Sequence, residues 1–134
     1  MFMGRKYLLY LIIVLYINQT NGQFLPPVSH YTPKTYNADN QNWSIDQDEN
    51  GHIYVANNKG LLTFNGVIWR GYNSPNESIL RSVFVDEEKI YTGCFRDFGY
   101  WKEDENGVLN YTSLTEKLNV ELDEDEQFWK ILKV

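Results

Sequence analysis

The chain has 134 residues and a formal charge of −6, with eighteen acids against twelve bases. Hydrophobic residues make up 43% and charged ones 22%, and 10 Tyr, 7 Phe and 4 Trp give an aromatic content foreign to disordered tails and coiled coils. A single cysteine, Cys94, excludes a disulfide-stapled scaffold, and the acidic balance argues against any nucleic acid contact by this segment.

Taken in chain order, Arg5 and Lys6 precede an apolar run from Tyr7 to Ile17, and a polar stretch follows that ends in Thr20 and Gly22. That layout predicts a secretory signal helix over 1–22, cleaved after Gly22 to expose Gln23. The run is about half the ~20 apolar residues that span a bilayer, so a membrane anchor is disfavoured. Without it, about 112 residues remain at a charge of about −8, one small exported domain at most. Residues 23–42 hold Pro26, Pro27 and Pro33 and predict an extended lead-in.

Short strands follow. Asn50-Gly51, Asn65-Gly66 and Asn106-Gly107 each sit between runs of branched and aromatic residues, and each predicts a two-residue hairpin turn. Ser113 to Leu118, with Glu116 at capping distance, predicts one helical turn.

The strands repeat. Trp43-Ser-Ile-Asp-Gln-Asp48 has the shape of Arg81-Ser-Val-Phe-Val-Asp86, Ile53-Tyr54 returns as Ile90-Tyr91, and third strands open at Gly60 and Gly99. Trp129-Lys130-Ile131 then matches Trp43-Ser44-Ile45. Four short antiparallel strands at a period of roughly 40 to 48 residues predict an all-β chain built as an incomplete β-propeller. Blade one covers 43–72, blade two 80–114, and a third blade starts at 127–134. A ring needs roughly four to eight blades, so the chain is expected to be the N-terminal piece of a longer protein. The competing fold is a self-contained sandwich or small barrel.

Asn40 to Gly66 and Arg81 to Trp101 resemble the first two blades of the two-component-regulator propeller repeats of exported Bacteroidetes sensors, flavobacterial ones above all. The Pro-Pro-Val lead-in and the Tyr-Thr-Gly-Cys stretch resemble the subgroup with a triple-tyrosine domain and a LuxR-type helix-turn-helix output. The resemblance covers residues 25 to 134 and implies a periplasmic, non-catalytic sensor of a transcription regulator. Its contact with the membrane would come only through parts absent from this sequence.

Enzymatic and metal chemistry find little support. Asp46-x-Asp48-x-Asn50-Gly51 imitates the start of a calcium loop, but Asn57 stands where a bidentate Glu belongs. His30 and His52 lack ligand spacing for zinc, Ser82 and Ser113 lie in no nucleophile elbow, and Cys94 ends an apolar strand as a buried thiol. Glu87-Glu88 and Glu103-Asp104-Glu105 read as solvated turns rather than a glycosidase pair. The sequons at Asn18, Asn42, Asn76 and Asn110 occur at about the rate chance gives, and no cofactor is expected.

Trp43, Ile45 and Trp129 share one phase and are expected to pack between blades. The loops after the second strands, Asn57-Asn58-Lys59 and Phe95-Arg96-Asp97, are the candidate ligand-binding residues, because polar groups beside an aromatic suit a glycan or another small extracytoplasmic ligand. Arg96 and Asp97 are at the same time expected to form a rim ion pair. A homodimer through the propeller is the further partner expected. The rival functions are a fragment of an exported carbohydrate-active enzyme and a structural or adhesion repeat.

Overall fold

The structure, a computed structural model, describes residues 25–118 and 121–134 together with Gly4, Tyr7 and Tyr10. The expected signal over 1–22 otherwise lies outside the described residues. No helix among the described residues is long and apolar enough to cross a membrane. The chain divides into Met1–His30 and Tyr31–Val134, and every strand belongs to the second unit.

Eight strands make two four-stranded antiparallel sheets, each in simple meander order. Sheet 1 holds β1 (Asn42–Gln47), β2 (Ile53–Asn57), β3 (Gly60–Phe64) and β4 (Trp69–Asn73). Sheet 2 holds β5 (Ser82–Asp86), β6 (Lys89–Gly93), β7 (Phe98–Glu103) and β8 (Leu109–Ser113). The chain is therefore mostly β, in two blade-like sheets. The lead-in differs from its extended expectation: Pro33–Tyr36 forms a short helix, α1. Pro33 suits its first position, where no N–H is needed, and Asn37 ends it at a left-handed φ of 53°. A second turn of helix, α2 (Leu114–Leu118), starts where expected, with Glu116 N donating to Ser113 Oγ at 3.2 Å.

The Asn-Gly turns are built differently from the two-residue form with both residues left-handed. In the first and third, a three-residue loop closes with Gly51 N on Asp48 O and Gly107 N on Asp104 O. Only the glycines take positive φ, 84° and 74°, which is all that a type I turn with a bulge requires. The organising residue is the aspartate ahead of each pair. Asp48 Oδ1 accepts from Asn50 N at 2.9 Å and His52 N at 2.8 Å, and Asp104 Oδ1 accepts from Asn106 N at 2.9 Å and Val108 N at 3.0 Å. The second is a two-residue loop, Gly66-Val67, with Asn65 outside it accepting from Val67 N and Ile68 N.

The ladders confirm the phase of the repeat. Ile53 pairs with Phe64 and Ile90 with Trp101, so Tyr54 and Tyr91, Val55 and Thr92, Phe64 and Trp101 hold equivalent places. The two glycines of the third strands do not: Gly60 faces Asn57, whereas Gly99 faces Thr92, and the place equivalent to Gly60 is held by Asp97, whose O accepts from Cys94 N. Gly99 has its own reason, since a Cβ there would stand 2.2 Å from Thr112 O.

Equivalent positions point the same way in both sheets. Tyr54, Ala56, Leu61 and Tyr72 of sheet 1 meet Val83, Ile90, Trp101, Leu109 and Tyr111 of sheet 2 in the main core. The opposite face of sheet 1, with Val55, Leu62 and Trp69, packs under Tyr36 and Ala38 of the lead-in. The far face of sheet 2 receives Phe128, whose ring lies 4.7 Å from that of Phe98. The sheets thus stack head to tail, with equivalent faces turned the same way. Fully burying side chains such as Leu61 and Leu80 contributes about 1.5–3 kcal/mol each. Polar fasteners run along the inner strands: Ser44 Oγ donates to Val83 O at 3.5 Å, Val85 N to Asp46 Oδ2 at 2.7 Å, Ser82 Oγ to Phe128 O at 2.9 Å, and Lys133 Nζ to Asp86 at 2.8 Å.

Residues 127–134, expected as the first strand of a third blade, run beside sheet 2 with one bridge, Phe95 to Gln127, and no ladder. A strand needs a hydrogen-bonded ladder, and among the described residues this segment has only the bonds around that bridge, Arg96 N to Glu126 O and Phe128 N to Cys94 O.

Candidate functional site

Antiparallel pairing decides which groups meet. The β2–β3 and β6–β7 loops leave the strand ends that pair with the starts of β1 and β5, so both loops share one end with Trp43 and Arg81. Gln127 and Trp129 join them through the Phe95–Gln127 bridge.

At that end the Arg81 guanidinium carbon lies 4.0 Å from the Trp43 ring centre and 4.6 Å from that of Trp129. The two indoles meet edge to face at 5.8 Å. Arg81 Nε donates to Gln127 Oε1 at 3.2 Å, and Trp43 Nε1 donates to Asn58 Oδ1 at 2.8 Å. Trp43 is 40% exposed and Trp129 56%, while Ile45 is 69% exposed. The expectation that these three pack between blades is therefore corrected. A bulge between Asn42 and Ser44 leaves Trp43 outside the β1–β2 register, stacked on Arg81, and among the described residues Ile45 has little cover.

The six loop residues divide. Asn57 is 0% exposed, and its amide nitrogen lies 2.8 Å from Asp39 O, 3.0 Å from Gln41 O and 2.7 Å from Asn42 Oδ1, while its oxygen accepts from Lys59 N. It clasps the lead-in to the sheet and has nothing left for a ligand. Asp97 accepts from Tyr111 Oη at 3.0 Å and Ser113 Oγ at 2.7 Å, tying the loop to β8. The expected Arg96–Asp97 ion pair does not form, because Arg96 stands exposed at the loop tip with a φ of 54° while Asp97 turns back to the sheet. Asn58 holds Trp43, and Lys59, Phe95 and Arg96 are exposed.

Cys94 is buried behind the second loop, its Sγ 3.3 Å from Asp97 O, and burial pushes its thiol pKa up. It is an inert packing group, as its place at the end of an apolar run suggested.

The opposite end of the sheets bears a groove of about 390 Å³ lined by Asp48, His52, Tyr54, Glu88, Lys102 and Glu103. All of these but Glu103 are engaged with one another. Asp48 Oδ2 lies 3.1 Å from His52 Nδ1 and accepts from Tyr54 Oη at 3.2 Å, and Lys102 pairs with Glu88 at 2.9 Å. Burial raises the Asp48 pKa, but the His52 N–H, the His52 ring and the Tyr54 hydroxyl outweigh it and hold the carboxyl below its usual value. Burial, with the Asp48 charge beside it, pushes Tyr54 up to about 12. Asp46, the other half of the calcium-like pattern, is turned to Val85 N of sheet 2, so the carboxylates do not converge. No group of three or more His, Cys, Asp or Glu among the described residues is arranged to hold a metal.

Sequence reasoning missed Arg81 and Gln127 as site residues. The signal was present: Arg81 stands in the repeat where Trp43 and Trp129 stand, and one cation among aromatics at a shared phase is the pattern of a stacked cluster. Compared with known proteins, the chain matches no family model, no curated protein and no solved structure.

Proposed function

We propose that the two sheets are consecutive blades of a β-propeller and that the chain is the exported, non-catalytic recognition part of a transmembrane transcription regulator. The head-to-tail stacking supports the propeller, since blades follow one another with their faces in the same sense. The apolar run behind Arg5 and Lys6, together with the resemblance of Asn40 to Gly66 and Arg81 to Trp101, supports the exported sensor.

One observation carries recognition: Trp43, Arg81 and Trp129 form an exposed aromatic and cationic cluster at the end that bears both variable loops. Exposed indole faces beside polar side chains are what a saccharide needs, one for stacking and the other for hydroxyls. Of the acids at the opposite end, Asp48 and Glu88 are engaged in internal pairs.

The test is electrophoresis of the purified chain through gels holding neutral or acidic polysaccharides, with reducing ends measured afterwards. Retardation by one class of polysaccharide without release of reducing ends is expected. Release overturns the non-catalytic reading, and free migration through every gel overturns glycan recognition.

A further inference from the structure

Arg81 is a cation with no acid beside it. None of the ion pairs among the described residues includes it, and its Nη1 is shut off from solvent without a hydrogen-bond partner there. An orphaned guanidinium donor is destabilising unless something completes it. Lys59 and Arg96, exposed on the two loops of the same end, add positive charge in a chain that is acidic overall.

The neighbouring amides point to the same ligand chemistry. Asn58 uses its oxygen for the Trp43 indole and Gln127 uses its own for Arg81 Nε, so each keeps an NH₂ group for an outside acceptor. Trp43 is held by Asn58 at the bulge of β1, between Asn42 and Ser44, which both pair with β2. Trp129 lies on a segment with no strand partner and is more than half exposed, so its ring can swing aside to open Nη1.

We propose that Trp43, Arg81 and Trp129 form a binding site for a carboxylated sugar, a uronate unit of an oligosaccharide. The carboxylate sits on the Arg81 guanidinium, the pyranose face lies on the Trp129 ring, and the Asn58 and Gln127 amides meet the hydroxyls. This rests on the recognition reading above and adds the charge to it. Inorganic phosphate would pair with the cation and leave both indole faces unused.

The test titrates the full chain with trigalacturonate, neutral galactotriose, a short peptide bearing a free C-terminal carboxylate, and inorganic phosphate, following tryptophan fluorescence. Trigalacturonate should give a saturable change, with galactotriose roughly tenfold or more weaker, the size expected from losing a charge-assisted hydrogen bond. Arg81→Gln should weaken trigalacturonate by a similar factor at an unchanged far-ultraviolet circular dichroism spectrum. Trp129→Leu, on a segment outside both ladders, carries the test if Arg81→Gln unfolds: it should abolish most of the fluorescence change and weaken binding. Equal binding of galactotriose and trigalacturonate overturns the carboxylate site while leaving glycan recognition standing. Preference for the peptide or for phosphate, no saturable response to trigalacturonate, or unaltered binding by a folded Arg81→Gln or by Trp129→Leu overturns it as well.

Discussion

Sheet 1 and sheet 2 share strand order, the phase of their ladders and the direction in which their faces point, yet they are fastened by different chemistry. The last place of β2 is taken by Asn57, whose amide gathers three oxygens of the lead-in region, and the equivalent place, just past β6, is taken by a thiol, Cys94. In sheet 2 the loop is secured instead by Asp97, which takes two hydroxyls from β8 and its end. The place held by Phe64 in sheet 1 is held by Trp101 in sheet 2, and Trp101 alone adds a buried bond, from its Nε1 to Thr92 Oγ1 at 2.8 Å. Backbone pattern sets the architecture, while each sheet secures its ends with whatever polar groups its own sequence places at equivalent positions.

The largest test of that contrast is a pair of core truncations. Trp101→Ala, at the joint between the sheets, should cost about 3–5 kcal/mol in urea unfolding, and Phe64→Ala, under the lead-in, should fall at or below the low end of that range. An equal loss would mean that the joint is no more important than the outer face of sheet 1.

Next come the two loop clasps. Asn57→Ala removes the amide donor to Asp39 O and one of the two donors to Gln41 O, the other being Asn58 N, and should cost about 2–3 kcal/mol, with faster hydrogen exchange confined to the lead-in. Asp97→Asn should cost less, about 1–2 kcal/mol, and loosen Tyr111 to Leu118 instead. Exchange that spreads evenly over both sheets in either variant would deny them separate fasteners.

The turn aspartates should differ more mildly. Asp48→Ala, which also releases His52 and Tyr54, should cost about 1–2 kcal/mol, and Asp104→Ala, in an exposed hairpin, should cost less. The reverse order would show that the Asp48 network is idle.

The smallest effect is the response to pH. The Asp48 carboxyl is held below its usual value, so its contribution is present above the unfolded pKa, about 3.9, and is lost as pH falls through the folded one. Tyr54 is pushed up to about 12, so its contribution is whole below about pH 10 and is lost as pH rises from there toward 12. Tyr111 in sheet 2 is shifted upward too, by burial first and by the Asp97 charge second. Melting temperature should therefore decline at both extremes of pH, and Asp48→Asn should flatten the acidic limb and, with the charge that helps to raise Tyr54 gone, soften the alkaline limb in part, moving the late-titrating tyrosine signal near 295 nm to lower pH. An unchanged acidic limb in that variant would remove Asp48 from the account.

Much of the fold was legible because it is local. Ile53-Tyr54 and Ile90-Tyr91 carried the phase of both sheets, and the alternation around them placed the strands. The lead-in helix escaped because three prolines argue for extension, whereas Pro33 here opens a helix that holds only because Tyr36 packs on Trp69 at 5.6 Å, a contact far apart in sequence. The hairpins were rightly located but wrongly built, since the aspartates at 48 and 104 govern them from outside the Asn-Gly pair. The site was half legible. Residue type picked out the loops, but which side chains turn inward depended on hydroxyls of β8 for Asp97 and carbonyls of the lead-in for Asn57, and neither lies nearby in sequence.

Cys94 has a consequence of another kind. It is the sequence's one thiol, it is wholly enclosed, and its raised pKa keeps it protonated, so an alkylating reagent reaches it only when the loop between β6 and β7 comes away. Its labelling rate is then a clock for that one opening, read in the intact chain without an added probe. Run beside exchange at the Asn57 clasp, it gives each sheet its own timekeeper.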